Sequence, residues 1–227
     1  MKIGIIVAMD RELQLLLPLL DEKKEVVAQS GVRMVSGTME GHDIVVLKSG
    51  IGKVNAAVGA LALIDFALPG LIINTGVAGG AGATNVLDVV VGAETAYHDV
   101  WCGPGTVPGQ VQGLPARFAA DARVMALDAV QDNPGIKCGL IASGDSFVDS
   151  PAGLERIRGL YPDVLAVDME SAPIAHVCHL RGVPFVSIRV VSDTPGSGNN
   201  SAQYTDFWTA APERTFGALC GIISQLK

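Results

Sequence analysis

Residues 1–20, MKIGIIVAMDRELQLLLPLL, decide the fold. Lys2 to Ala8 is a short apolar run of strand length, and Asp10 to Leu20 follows with leucines at helical spacing and Asp10 suited to cap the N-terminus. A strand passing directly into a helix is the repeating unit of an α/β protein. Asp10, Arg11 and Glu12 interrupt the apolar run with no small-residue cleavage site behind them, so a first strand is expected and not a secretory leader.

The same alternation continues along the chain. Strands are predicted at Asp43 to Lys48, Leu71 to Thr75, Val86 to Gly92, Ile136 to Ala142, Leu165 to Asp168 and Pro184 to Val191. Helices are predicted at Lys53 to Phe66, Ala119 to Val130, Pro151 to Leu160 (capped by Ser150), Glu170 to Arg181 and Asp206 to Leu226. From Val26 to Lys48, three apolar runs broken at Gly31 and Gly41-His42 read as an antiparallel meander within a mixed sheet. Trp101 to Pro115 and Ser192 to Gln203, rich in Gly, Pro and Asn, read as loops fit to border a site. No linker, repeat or low-complexity stretch divides residues 1–227, so one domain is expected.

Composition narrows the function. A hydrophobic fraction of 49% against 17% charged residues suits a tightly packed sheet or a buried subunit interface. A net charge of −7 with no basic run lacks the footprint of a nucleic-acid binder and favours a small ligand. Cys102, Cys138, Cys178 and Cys220 have neither zinc nor disulfide spacing, and no apolar stretch reaches membrane-span length; a soluble, cytoplasmic protein is expected.

The glycine motifs do not identify a nucleotide cofactor. In Ser49-Gly50-Ile51-Gly52-Lys53-Val54-Asn55, Asn55 stands where a dinucleotide fingerprint needs its third glycine, and Val54 where a Walker A motif needs Ser or Thr. Asn74-Thr75-Gly76-Val77-Ala78-Gly79-Gly80 fits equally a tight turn or a place where a ligand approaches backbone. Three acids are better placed. Glu12, Glu170 and Asp193 each lie just past a predicted strand, where the ligand crevice of an open α/β sheet is found, although each alone also fits an ordinary helix-start or solvent-facing acid.

MKIGIIVAMDREL (1–13), LKSGIGKVNAA (47–57), INTGVAGG (73–80), SGDSFV (143–148), VDMESAPIAHV (167–177) and RVVSD (189–193) together resemble, in order, the 5′-methylthioadenosine/S-adenosylhomocysteine nucleosidases. The resemblance implies a three-layer α/β/α fold of the nucleoside phosphorylase type with a central mixed sheet, a homodimer, no cofactor or metal, and hydrolysis of 5′-modified adenosines to adenine and a 5′-substituted ribose.

By the same resemblance Glu12 is the base that activates water and Asp193 the acid that protonates the purine at N7. Glu170 accepts hydrogen bonds from the ribose hydroxyls, Met169 packs on the sugar, and Arg189 orders the polar groups around the attacking water. Phe147 stacks on adenine, the Val148 backbone reads the base edge, and Ala78 and Gly79 allow close backbone approach. Ser192 joins the substrate-binding set, and Met9, Ile51 and Tyr204 line the 5′ subsite. The two proton-transfer roles need opposite states: a free aspartic acid ionises near 4, so an acid at Asp193 requires burial that holds its proton near neutrality. Tyr204 stands where phenylalanine is frequent, Val77 where serine is common and Asp168 where glutamate is frequent. Pro104, Thr106 and Gln112 depart from the family in a loop that would reach the partner's site.

His176 and His179, three apart on a helix, lack a third ligand at metal spacing and read as packing or surface residues; His42 and His98 lack a nucleophile motif. The nearest rival is a phosphorylase. Such enzymes bring arginines to phosphate, and no arginine lies between Arg33 and Arg117, which leaves Arg11 as the residue that keeps this reading open. A non-catalytic nucleoside sensor would be expected to lose an acid or base, and Glu12, Glu170 and Asp193 are all present.

Overall fold

Ile3, Ile5 and Val7 turn to one side of the first strand and Ile6 to the other, and both sides are buried. Helices on both faces explain why this strand reads as continuous apolar sequence instead of alternating. Gly4 makes room for one of those helices: a Cβ there would lie 2.3 Å from the Leu63 side chain. In the computed structural model the chain is described over residues 1–197, 199–210 and 212–227, without the side chains at 200, 201, 209, 210 and 212–215.

The strands are β1 (Lys2–Val7), β2 (Asp21–Val27), β3 (Arg33–Met39), β4 (His42–Lys48), β5 (Leu71–Gly80), β6 (Val89–Tyr97), β7 (Phe118–Ala119), β8 (Ile136–Ser143), β9 (Val164–Asp168) and β10 (Phe185–Asp193). The helices are α1 (Asp10–Leu16, continued by a 3-10 turn over Leu17–Leu19), α2 (Lys53–Ala67), α3 (Ala122–Met125), α4 (Asp128–Gln131), α5 (Pro151–Leu160), α6 (Ser171–Arg181), α7 (Asn200–Ala210) and α8 (Pro212–Gln225). β1 pairs parallel with β4 and β5, and β4–β3–β2 is the expected antiparallel meander. One apolar cluster joins β1, β5 and β10 to α8, and a second joins the other face to α2 and α6, so the mixed sheet lies between helical layers. Among the described residues no helix is long and apolar enough to cross a membrane.

Part of the sheet closes on itself, which the open-sheet expectation did not include. β5 pairs parallel with β10, β10 antiparallel with β6, β6 parallel with β8, β8 parallel with β9, and β9 returns antiparallel to the end of β5. The returning contact sets Gly79 opposite Val167 and Gly80 opposite Ala166, so the carboxyl ends of β5 and β9 overlap.

Several predicted boundaries are corrected. β5 runs on through the glycine motif to Gly80, and β6 begins only at Val89, after Leu87 takes a positive φ of 76°. Met9, not Asp10, is the N-cap of α1; Asp10 instead pairs with Lys48 on the surface at 2.8 Å. The helix expected over Ala119 to Val130 is two short turns, α3 and α4, with Asp121 capping the first. Ser192 and Asp193 belong to β10 and not to a loop. Helix begins at Asn200, ahead of the expected Asp206, and is described as α7 up to Ala210 and as α8 from Pro212; Ala211 between them, and Gly198 in the loop expected from Ser192 to Gln203, lie outside the described residues. Trp101 to Pro115 carries neither helix nor strand, as expected.

Candidate active site

The overlap of β5 and β9 forms the floor of a cavity with about 630 Å³ of open space. β1 delivers Met9 and Glu12 through the first turn of α1, β5 delivers Ala78 and Gly79, and the segment between β8 and α5 delivers Phe147 and Val148. Met169 and Glu170 stand between β9 and α6; Arg189, Ser192 and Asp193 come from β10, Ile51 from the turn before α2 and Tyr204 from α7. Every residue singled out for the site in the sequence thus lines one cavity. Ala8, Ser146 and Val167 also line it and were not singled out; Ala8 contributes its backbone amide to Glu12, which residue type does not signal. Val77 and Asp168, noted only as departures from the family, line it as well.

Glu12 is buried and held by backbone. Its Oε2 accepts the amides of Ala8 and Met9, each at 2.9 Å, and its Oε1 accepts the Val77 amide at 3.1 Å. Burial raises its pKa above the usual glutamate range, while the Arg189 charge and the three amides act in the opposite direction. The carboxylate is therefore fixed in position yet more basic than one in water. Because the contact from position 77 is made by an amide, valine in place of serine does not disturb it.

Arg189 is fully buried and gathers the other acids. Its Nη2 lies 2.7 Å from Asp168 and 3.5 Å from Glu170, it bonds the Asn74 side chain, and its Nη1 donates to the Val77 carbonyl at 3.3 Å. Asp168 also accepts hydrogen bonds from the Ser143 and Ser171 hydroxyls. Glu170 receives the Gly52 amide on Oε1 at 3.0 Å. Burial pushes its pKa up to about 7, opposed by Arg189 and by the Gly52 amide and reinforced by the nearby charges of Asp168 and Glu12. The glycine motif before α2 therefore serves as an amide donor to an acid 118 residues away.

Asp193 is buried at the end of β10, where the Ser192 hydroxyl lies 2.7 Å from its Oδ1 and 3.3 Å from the Ala78 carbonyl. Across the cavity the Phe147 and Tyr204 rings meet edge to face at 6.1 Å, and the Tyr204 hydroxyl donates to the Met9 sulfur at 3.4 Å. The histidines stand apart: His176 bonds the Tyr97 hydroxyl at 3.1 Å and stacks on Phe118, which also contacts His179. Among the described residues no group of His, Cys, Asp and Glu is arranged to hold a metal ion.

The model of the Phosphorylase superfamily matches residues 2–224, so the partly closed mixed sheet and the cavity at its strand ends are those of a protein of this superfamily. Over the full length of both chains the sequence is 40% identical to the 5′-methylthioadenosine/S-adenosylhomocysteine nucleosidase of Actinobacillus succinogenes. The S-adenosylhomocysteine nucleosidase of Streptococcus pyogenes, solved with 5-methylthiotubericidin, superimposes with a TM-score of 0.94 at 34% identity, over 100% of this chain and 98% of that one. The Neisseria meningitidis enzyme, solved with methylthio-immucillin-A, gives 0.92 at 38% identity over 99% of each chain. The chain belongs to the 5′-methylthioadenosine/S-adenosylhomocysteine nucleosidase family of N-glycosidase hydrolases.

Proposed function

We propose that residues 1–227 act as one nucleosidase domain that hydrolyses 5′-methylthioadenosine, S-adenosylhomocysteine or a related 5′-modified adenosine. The observation that carries the reading is the convergence of Glu12, Glu170 and Asp193, from three distant segments, on one cavity with an aromatic wall. Phe147 stacks on adenine beside the Val148 backbone, Ala78 and Gly79 admit the base edge, and Met169 lies against the ribose. Ionised Glu170 accepts hydrogen bonds from the ribose hydroxyls, which strengthen as the ring gains positive charge in the transition state. Glu12 takes a proton from water as the water oxygen bonds C1′. The C1′–N9 bond breaks, its electron pair flows into the purine, and Asp193, supported by Ser192, delivers its proton to N7.

Water is favoured over phosphate as the nucleophile. Arg189 is the one arginine among the described residues that lines the cavity, and it is engaged by Asp168 and Glu170. Arg11, the residue that left the phosphorylase reading open, lies outside the lining.

A homodimer is supported by an apolar face on α2, where Val54, Val58 and Leu61 are exposed, and by exposed Trp101 and Val107 in the neighbouring irregular segment. A cytoplasmic setting is supported by the widely spaced cysteines and the small-molecule chemistry.

The test is adenine release from methylthioadenosine in phosphate-free buffer. Turnover without phosphate is expected, and strict phosphate dependence would overturn the hydrolytic reading. Glu12→Gln and Asp193→Asn should each lower kcat by about 10²–10⁴-fold, the range of a lost proton-transfer group, with KM for Asp193→Asn little changed.

A further inference from the structure

A second hollow lies beside the cavity, lined by Arg11, Gln14 and Leu15 of α1 and by Thr205 and Trp208 of α7. Positions 11, 14 and 15 share one face of α1, and 204, 205 and 208 neighbour one another on α7, so the two helices form its walls. The boundary with the cavity is the contact of the Tyr204 hydroxyl on the Met9 sulfur. Both of those residues line the cavity, and both are chain neighbours of hollow residues: Met9 precedes Arg11 by two, and Tyr204 precedes Trp208 by one helical turn. The Tyr204 and Trp208 rings meet edge to face at 6.0 Å, and the Arg11 guanidinium lies 5.9 Å over the Trp208 ring. Arg11 is thus two side chains from the cavity, and its charge acts on the Tyr204 phenol, opposing the burial that raises it.

Charge gives the hollow its chemistry. The cavity contains Glu12, Asp168, Glu170 and Asp193, and Arg189, its buried cation, is already matched by Asp168 and Glu170. An anionic group on the substrate would meet a negative field there and would need a cation outside. Lys48 and Lys53 are committed to Asp10 and Asp99, whereas Arg11 forms no ion pair among the described side chains and is exposed. A guanidinium laid on an indole face keeps its N–H edges free to bind a carboxylate in two-point fashion. Gln14 adds a side-chain oxygen that can accept from an ammonium.

We propose that the Arg11–Trp208 hollow is a subsite for a zwitterionic amino-acid tail on the 5′ substituent, with Arg11 binding its carboxylate after the tail passes the Met9–Tyr204 boundary. The proposal rests on the nucleosidase reading and on Met9 and Tyr204 lining the 5′ subsite. Arg11 then discriminates between substrates that share the same adenine and ribose: S-adenosylhomocysteine has the carboxylate, and methylthioadenosine does not.

The experiment measures kcat/KM for both nucleosides with the full-length wild type, Arg11→Met and Arg11→Lys. In Arg11→Met the ratio of S-adenosylhomocysteine to methylthioadenosine efficiency should fall about five- to tenfold, through KM, and Arg11→Lys should restore part of it. An S-adenosylhomocysteine carboxamide should show the same loss with wild type and no further loss with Arg11→Met. Added salt should shrink the wild-type preference, since the site is exposed. A ratio unchanged within twofold in Arg11→Met overturns the subsite, whatever happens to the absolute rates. Failure of the wild type on both nucleosides would instead remove the nucleosidase reading, so the two failures are distinguishable.

Discussion

Arg189 and Phe147 stand on two sides of one cavity and are held very differently. The Arg189 guanidinium is 1% exposed and meets Asp168, Glu170, Asn74, Ser171 and the Val77 carbonyl, whereas Phe147 is 53% exposed and, among the described residues, has Tyr204 as its one aromatic partner. The floor is fixed by strand ends and backbone amides; the rim is made of side chains on loops and on α7. Groups that must stay placed while charge develops belong on the rigid part, since an electrostatic site is effective only if it need not reorganise. Groups that admit and release a base can sit on the exposed part. Substitutions in the floor should therefore act on kcat and stability together, and those at the rim on KM.

Gly76→Ala probes the floor most severely. Gly76 has a φ of +154°, and a Cβ there would lie 2.2 Å from Glu12 Oε1 and 2.9 Å from Arg189 Nη1. Neither neighbour can retreat, because Glu12 is tied to the amides of residues 8, 9 and 77 and Arg189 is ion-paired. A single added methyl should reduce kcat/KM by about 10²–10³-fold, the scale of misplacing a catalytic group by about an ångström. It should also cost about 1–3 kcal/mol of stability through overpacking. Steady-state kinetics with thermal unfolding on the same preparation checks both, and a variant with near-normal kcat would show the floor to be compliant.

Glu170 gives a milder test based on pH. Its pKa, raised by burial to about 7 from 4.5, means that folding disfavours its ionised form. For such a group the folded state binds more protons than the unfolded one between pH 4.5 and 7, so its contribution to stability is full below 4.5 and is lost as pH rises through about 7. Function runs the other way, since the ionised form is the acceptor for the ribose hydroxyls. Wild-type kcat/KM should rise as pH passes about 7, while thermal stability of the unliganded protein falls over the same interval. Glu170→Gln should flatten the stability slope and lower activity at every pH. A variant with the wild-type slope would place the titration on another group.

How much of this the sequence revealed follows the same division. The meander was legible because Gly31 and Gly41 punctuate it, yet the Asp21 to Glu25 half of β2 was not, since it is an edge strand whose charged side chains face solvent. The 76–80 glycines fitted a tight turn and a close ligand approach equally well, because local composition cannot report what crowds them: a Cβ at Gly79 would strike Pro195 and Val167, and one at Gly80 would strike Thr84 and Val191. Closure of β5 on both β9 and β10 is a long-range pairing with no local signal. The split of Ala119 to Val130 falls at Leu127, a residue without capping chemistry. In the site, the acids were visible as residues past strands, but their roles came from family likeness. The pairing of Asp168 with Arg189 became visible only when β9 and β10 were brought together, because a carboxylate two positions before Glu170 gives no sign of which cation it faces.

The smallest effect is expected at the rim. Phe147→Leu keeps an apolar side chain of similar bulk but removes the face that stacks on a purine and the edge contact with Tyr204. Stacking of a base on an aromatic ring is worth about 1–3 kcal/mol, and leucine retains part of it as apolar contact, so KM and the inhibition constant of free adenine should each rise about three- to tenfold. Because the ring is more than half exposed and outside the carboxylate network, kcat should stay within about twofold and stability within about 0.5 kcal/mol. Titration with adenine, beside kcat and KM from one substrate series, separates these quantities. A drop in kcat at constant KM would mean that Phe147 acts in the transition state, and the contrast between a buried floor that performs chemistry and an exposed rim that performs binding would have to be given up.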